Sequence, residues 1–138
     1  MKEPAIEFLW SDAWLLLAIG LAAEQRPIAP LASVIELADG IQHAIPAKEE
    51  MDGALGRLQR AGYIRHTREG VEFLEQGRQL VKRPNRVFRG LLDRQDAIEK
   101  ALHAAPWSAT YRPQSARGEE AVHVAEEEWQ QLMARYRR

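Results

Sequence analysis

Eleven consecutive residues, Ala13 to Ala23, carry no charge, and Trp14, Leu15, Leu16, Leu17, Ile19 and Leu21 within them fall on nearly every side of a helix. A helix apolar all the way round has to be covered on more than one face, so this one is either the central core helix or half of a subunit contact. Spanning a bilayer takes ~20 apolar residues, so the run predicts no membrane span. Ser11 or Asp12 can cap a helix starting at about Asp12, with Trp10 ahead of the cap placed to pack on Leu15. The 138-residue chain contains no cysteine, which removes disulfides, thiol nucleophiles and thiolate metal sites and leaves packing as the source of stability. Met1 to Trp10 holds Glu3 and Glu7 beside a lone Lys2, unlike the basic start of a secretory signal, so a cytoplasmic protein is expected.

Arg26, Pro27 and Pro30 end the first pattern. A second helix begins near Pro30, with Leu31, Val34, Ile35, Ala38, Ile41 and Ile45 as its buried stripe, and closes at Pro46. The third, about Ala47 to Ala61, sets Met51, Ala54, Leu55 and Leu58 inward and ends at Gly62, where a left-handed cap is wanted. Tyr63 to His66 and Val71 to Phe73 read as the two strands of a small hairpin around the polar turn Thr67 to Gly70. Leu74 to Val81 resumes helical character until Pro84. Asn85 can cap a longer helix from Arg86 to about Ala104, with Val87, Leu91, Ile98 and Leu102 on one side. Ala105 to Ser115 is a proline-containing linker. A last helix, about Arg117 to Arg138, places Val122, Ala125, Trp129, Leu132, Met133 and Tyr136 in one stripe, its acids early and its arginines late as the helix dipole prefers.

The formal net charge of −1 argues against bulk attraction to nucleic acid, but the charge is segregated. From Met1 to Gly56 three basic residues face nine acidic ones; from Arg57 to Arg94 ten basic residues face four acidic ones. A basic middle third is a candidate phosphate-facing surface. For any one arginine, solubility and local pairing are the competing explanation.

The order helix, helix, turn, helix, glycine cap, hairpin, helix is that of a winged helix-turn-helix domain. Ala54 to Ile64 (Ala-Leu-Gly-Arg-Leu-Gln-Arg-Ala-Gly-Tyr-Ile) resembles the end of the third helix and first wing strand of bacterial MarR-like and PadR-like regulators. Leu74 to Val81 is similar to the segment after the wing there, with Glu75 in place of the usual threonine. The resemblance covers about half the chain. It implies a mainly α fold with a small β-hairpin, residues 12–82 forming a winged helix-turn-helix domain and 85–138 a helical C-terminal extension. It also implies a transcriptional regulator that binds double-stranded DNA, the third helix entering the major groove and wing cations touching phosphate. The phosphate contacts expected are Lys48, Arg57, Arg60, Arg65 and Arg68, with Arg83, Arg86 and Arg89 beyond the domain.

Regulators of these families dimerise through segments outside the wing domain, which points to a homodimer built on Val122, Trp129, Leu132, Met133 and Tyr136. The alternative is that this stripe folds back on its own domain. Against DNA stand Glu49, Glu50 and Asp52 at the start of the third helix, more readily explained by the dipole of a helix that meets something else. The second reading is therefore a protein-interaction module docking another polypeptide on that helix. Gly53 and Gly56 lie on its outward face with Glu49 and Arg60, Asp52 and Arg57 flanking, and each glycine costs about 1 kcal/mol against alanine in a helix. Either a close approach by a groove or a second helix needs them, or tertiary packing simply tolerates them. His43, His66, His103 and His123 have no metal-ligand spacing, no phosphate-cradling or nucleophile-elbow motif is present, and neither enzymatic activity nor a cofactor is expected. The four tryptophans could line a small-ligand pocket, but core packing is the stronger explanation.

Overall fold

The structure, a computed structural model, describes residues 8–82, 91–104 and 124–136. Its elements are α1 (Trp10–Ala23), β1 (Ile28–Ala29), α2 (Leu31–Gln42), α3 (Lys48–Arg60), β2 (Ile64–Thr67), β3 (Gly70–Phe73), α4 (Glu75–Lys82), α5 (Leu91–Ala104) and α6 (Glu126–Tyr136). The fold is mainly helical with one small antiparallel sheet of three strands in the order β1-β3-β2.

The uncharged run lies at the centre of the molecule. Ser11 through Ile19 and Ala22 are buried, and α1 packs against α2, α3, α4, α5, β1 and β3. Covering a helix that has no polar side takes this many neighbours. The buried Trp14 indole satisfies its N–H on the Ala38 carbonyl of α2 at 2.9 Å. Phe73 packs beside α1 at Gly20, where an added Cβ would stand 3.4 Å from the ring edge, an ordinary contact distance. The start of α1 differs from expectation. The helix begins at Trp10, so Asp12 is its third residue rather than its cap, and its carboxylate accepts from the Leu9 N–H at 2.8 Å. Trp10 is 44% exposed and stacks on Trp14, four residues along the same face, rather than on Leu15.

In α2, Leu31, Val34, Ile35, Ala38 and Ile41 form the buried stripe as expected. The helix stops earlier than Pro46, at His43, which adopts a left-handed conformation with φ 57°. Ile45 is consequently past the helix and exposed, while Pro46 is buried. Helix α3 buries Met51, Ala54, Leu55 and Leu58. Its end is a Schellman turn: Gly62 takes φ 87°, its N–H donates to Gln59 O at 3.0 Å, and the Tyr63 N–H donates to Leu58 O at 3.0 Å. Gln59, itself buried, accepts from the His66 backbone N–H at 2.6 Å and so fixes α3 to the hairpin.

The hairpin pairs Ile64 with Phe73 and Thr67 with Gly70, leaving Arg68 and Glu69 as its turn. It is joined by a strand that the sequence did not announce, since β1 is two residues caught between Pro27 and Pro30. Ile28 and Ala29 pair with Glu72 and Val71, so the hairpin becomes a three-stranded sheet. Beyond it, α5 lies on α1, α2 and α4, with Ile98 and Leu102 buried. Its buried Gln95 accepts from Gln42 Nε2 at 2.7 Å. Asn85, Arg86 and Val87 lie outside the described residues.

Candidate nucleic-acid interface

The first turn of α3 carries Lys48, Glu49 and Glu50 beside the buried Met51, and there most charges have partners inside the chain. Glu50 accepts from the Ala47 N–H at 2.9 Å, closing the helix start as a capping carboxylate does. Lys48 pairs with Asp52 one turn on, Nζ to Oδ2 at 2.7 Å. The hydrogen bond to Asp52 holds the Lys48 ammonium above the ordinary lysine range; burial opposes this, and the charges of Asp52, Glu126 and Glu49 reinforce it. Two of the three carboxylates that stood against DNA therefore have local work, and Glu49 is the exposed one.

Arg57 is not on the outer surface in the sense expected. Its guanidinium folds back onto the α1 start, Nε donating to Asp12 Oδ2 at 2.6 Å and Nη2 to Oδ1 at 2.9 Å. Asp12 is wholly buried and the Arg57 side chain 21% exposed, so this fork neutralises a carboxylate inside the fold. The outward glycines divide accordingly. A Cβ on Gly53 would stand 2.8 Å from Arg57 Nη2, whereas one on Gly56 would meet only Arg60 Nη1 at 3.6 Å. An arginine end would normally swing aside, but here Asp12 pins it. Gly56→Ala is thus expected to stabilise the protein by about 0.5–1 kcal/mol through helix propensity. Gly53→Ala is expected to destabilise it, because the added methyl dislodges the fork. Urea melts of the two variants give the comparison, and equal gains would mean that the fork does not depend on Gly53.

Three of the expected phosphate contacts remain available. Arg60 is half-buried in the last turn of α3, and Arg65 and Arg68 are exposed on β2 and in the hairpin turn. Among the described residues none of these three is in an ion pair. Arg65 shares the outer face of the sheet with its cross-strand neighbours Glu72 and Ile28. Arg83, Arg86 and Arg89 lie outside the described residues.

The C-terminal stripe has gone to the chain's own body. Val124, Trp129 and Leu132 are buried and Met133 is half-buried against the core, which leaves them covered rather than displayed. Ala125 is exposed and does not belong to the stripe; Val122 lies outside the described residues, and Tyr136 ends the helix. The place where this segment docks was not readable from the sequence. The Val124 N–H donates to Asp52 Oδ1 at 3.1 Å, on the second turn of α3. Farther along, Glu128 and Leu132 share a crevice of about 220 Å³ with Pro30, Leu31 and Ala32 at the α2 start and with the hairpin turn from Thr67 to Gly70. Helix α6 thus runs from the α3 start to the hairpin turn.

A second cavity, of about 330 Å³, opens where α1, β3, α4 and α5 meet, lined by Gly20, Glu24, Phe73, Arg78, Val81 and Arg94 among others. Among the described residues no tryptophan lines it. Arg78 lies over the Phe73 ring, 5.9 Å from its centre. Among the described residues no group of three or more histidine, aspartate or glutamate side chains is placed to hold a metal ion, and no helix is long and apolar enough to cross a membrane. No protein-family model, curated protein or solved structure matches the chain.

Proposed function

We propose that the protein is a DNA-binding transcriptional regulator of the winged-helix type, with α3 as the groove-facing helix and the β2–β3 hairpin as the wing. The order α1-β1-α2-α3-β2-β3, the sheet order β1-β3-β2 and the short link from α2 to α3 support this reading. The observation that carries it is the set of three cations, Arg60, Arg65 and Arg68, without ion-pair partners among the described residues at the end of α3 and along the wing. Lys48 and Arg57, engaged by Asp52 and Asp12, have structural roles in this reading.

Each phosphate neutralised contributes about −0.9 to the slope of log K against log salt, so three contacts give a slope of about −2.7. Anisotropy titrations of a labelled random-sequence duplex at several salt concentrations measure it. Replacing Arg60, Arg65 and Arg68 together by alanine is expected to flatten the slope towards zero. A flat slope for the unaltered protein would reject DNA as the partner.

One observation favours the second reading, a winged-helix module that docks a polypeptide. The α3 start is acidic and already receives a backbone N–H, that of Val124, on Asp52. In that reading the triple arginine variant changes nothing.

A further inference from the structure

Three features of α6 coincide on one face. Its approach is anchored on α3 through Val124 and Asp52, its middle sits in the crevice between the α2 start and the hairpin turn, and its first turn is the acidic run Glu126, Glu127 and Glu128. In the winged-helix reading, the α3 start, the α2 start and the wing tip are the parts that meet the duplex: one in the groove, the others on phosphates.

We propose that α6 is an intramolecular inhibitor of the DNA interface, occupying with carboxylates the place of a phosphate backbone, and that duplex binding requires its release. The inference rests on the DNA-binding reading.

The chemistry of the contact fits substitution of one anion for another. Helix α2 begins at Pro30 without a side-chain cap, and the positive end of a helix favours an anion. Glu128, an acidic residue, lines the crevice together with that first turn and with Arg68 of the wing tip. Glu126 adds its negative charge to the surroundings of Lys48. Leu132, one turn after Glu128, lines the same crevice and is buried, so apolar contact fixes the position that the carboxylates then exploit. The attachment is small. Glu126, Glu127, Glu128, Gln130, Gln131 and Ala134 remain exposed, and the burial rests on Val124, Trp129 and Leu132 with help from Met133. A helix held by so few side chains can leave without unmaking the packing around α1.

Two full-chain variants test the inference. Trp129→Ser with Leu132→Ser removes the apolar anchor; Glu126→Gln, Glu127→Gln and Glu128→Gln together remove the charge at exposed positions and leave the core alone. Affinity for a random-sequence duplex at low salt and hydrogen exchange of the α6 amides are measured on both and on the unaltered protein. Where binding requires an open form that is only a tenth populated, release raises the apparent affinity about tenfold. The expected results are loss of α6 protection and at least that gain for the anchor variant, a smaller gain for the glutamine variant, and loss of α6 protection in the unaltered protein when duplex is added. Unprotected α6 amides in the anchor variant with unchanged duplex affinity would overturn the inhibitor role and leave the DNA reading standing. Absence of duplex binding in all three proteins, with α6 released in the anchor variant, would overturn the DNA reading itself.

Discussion

Arg57→Met is expected to lower the unfolding free energy by about 3 kcal/mol, the low end of the loss when one member of a buried ion pair is removed. Asp12 is fully buried, and without the guanidinium its carboxylate keeps, among the described residues, only the Leu9 N–H. The low end is appropriate because the Arg57 side chain still reaches solvent with 21% of its surface. Asp12→Asn is expected to cost about 1–2 kcal/mol, since the guanidinium left behind can turn outward and the amide oxygen can still accept from Leu9. In the double variant the two losses do not add: Arg57→Met with Asp12→Asn should be more stable than Arg57→Met alone, because no unpaired charge remains inside. Denaturant melts of the four proteins complete the cycle. A loss below 0.5 kcal/mol for Arg57→Met, on the order of an ordinary surface change, would mean that the fork contributes nothing to the fold. While still folded, the Arg57 variant should keep the salt slope of duplex binding, because the side chain is already committed to Asp12.

The second large effect is expected at Gly70. Its φ of 141° belongs to a region that side chains avoid, and a Cβ there would lie 2.2 Å from the Ala29 carbonyl oxygen and 2.7 Å from its carbon. Both atoms belong to the backbone of Ala29 in β1, so neither can swing away as a flexible side chain would. Backbone strain of about 1–3 kcal/mol and a forced separation of the strands act together, and Gly70→Ala should destabilise the protein by about 3–4 kcal/mol. The loss should be local in origin. Amide exchange at Ile28 and Ala29 is expected to quicken first, because among the described residues β3 is the one strand that β1 pairs with. A variant with both amides still protected and stability reduced by less than about 1 kcal/mol would show that the strand contact is less tight than it stands here.

Elements with a strong periodic signal were legible. The stripe Leu31, Val34, Ile35, Ala38 and Ile41, the inward set of α3 and the Gly62 cap all follow from local spacing and backbone preference, and the structure places them as read. So does the smothering of α1, which its composition alone demands. What escaped was set by partners distant in the chain. The pairing of β1 depends on β3 about forty residues later, and a two-residue segment between prolines has no period to detect. The fate of Arg57 depends on Asp12, likewise remote. A hint did exist, since a carboxylate directly before an apolar run is headed for burial and needs a cation. At the candidate interface Arg60, Arg65 and Arg68 are in no ion pair among the described residues; the i, i+4 spacing of Lys48 and Asp52 was a local signal for their pairing, whereas the carboxylate that holds Arg57 is supplied by the fold. Nor does the stripe of α6 say which surface it seeks, because apolar spacing specifies a face and not its recipient.

The central position of α1 has a thermodynamic consequence. One helix touches the sheet and the helices on either side of it, including α5 from the C-terminal half, so among the described residues there is no seam along which the halves could part. Loss of α1 strips every layer of its apolar backing at once. Melting by heat or urea is therefore expected to run through a single cooperative transition for the body of the molecule, with α6, among the described elements, able to fray ahead of it.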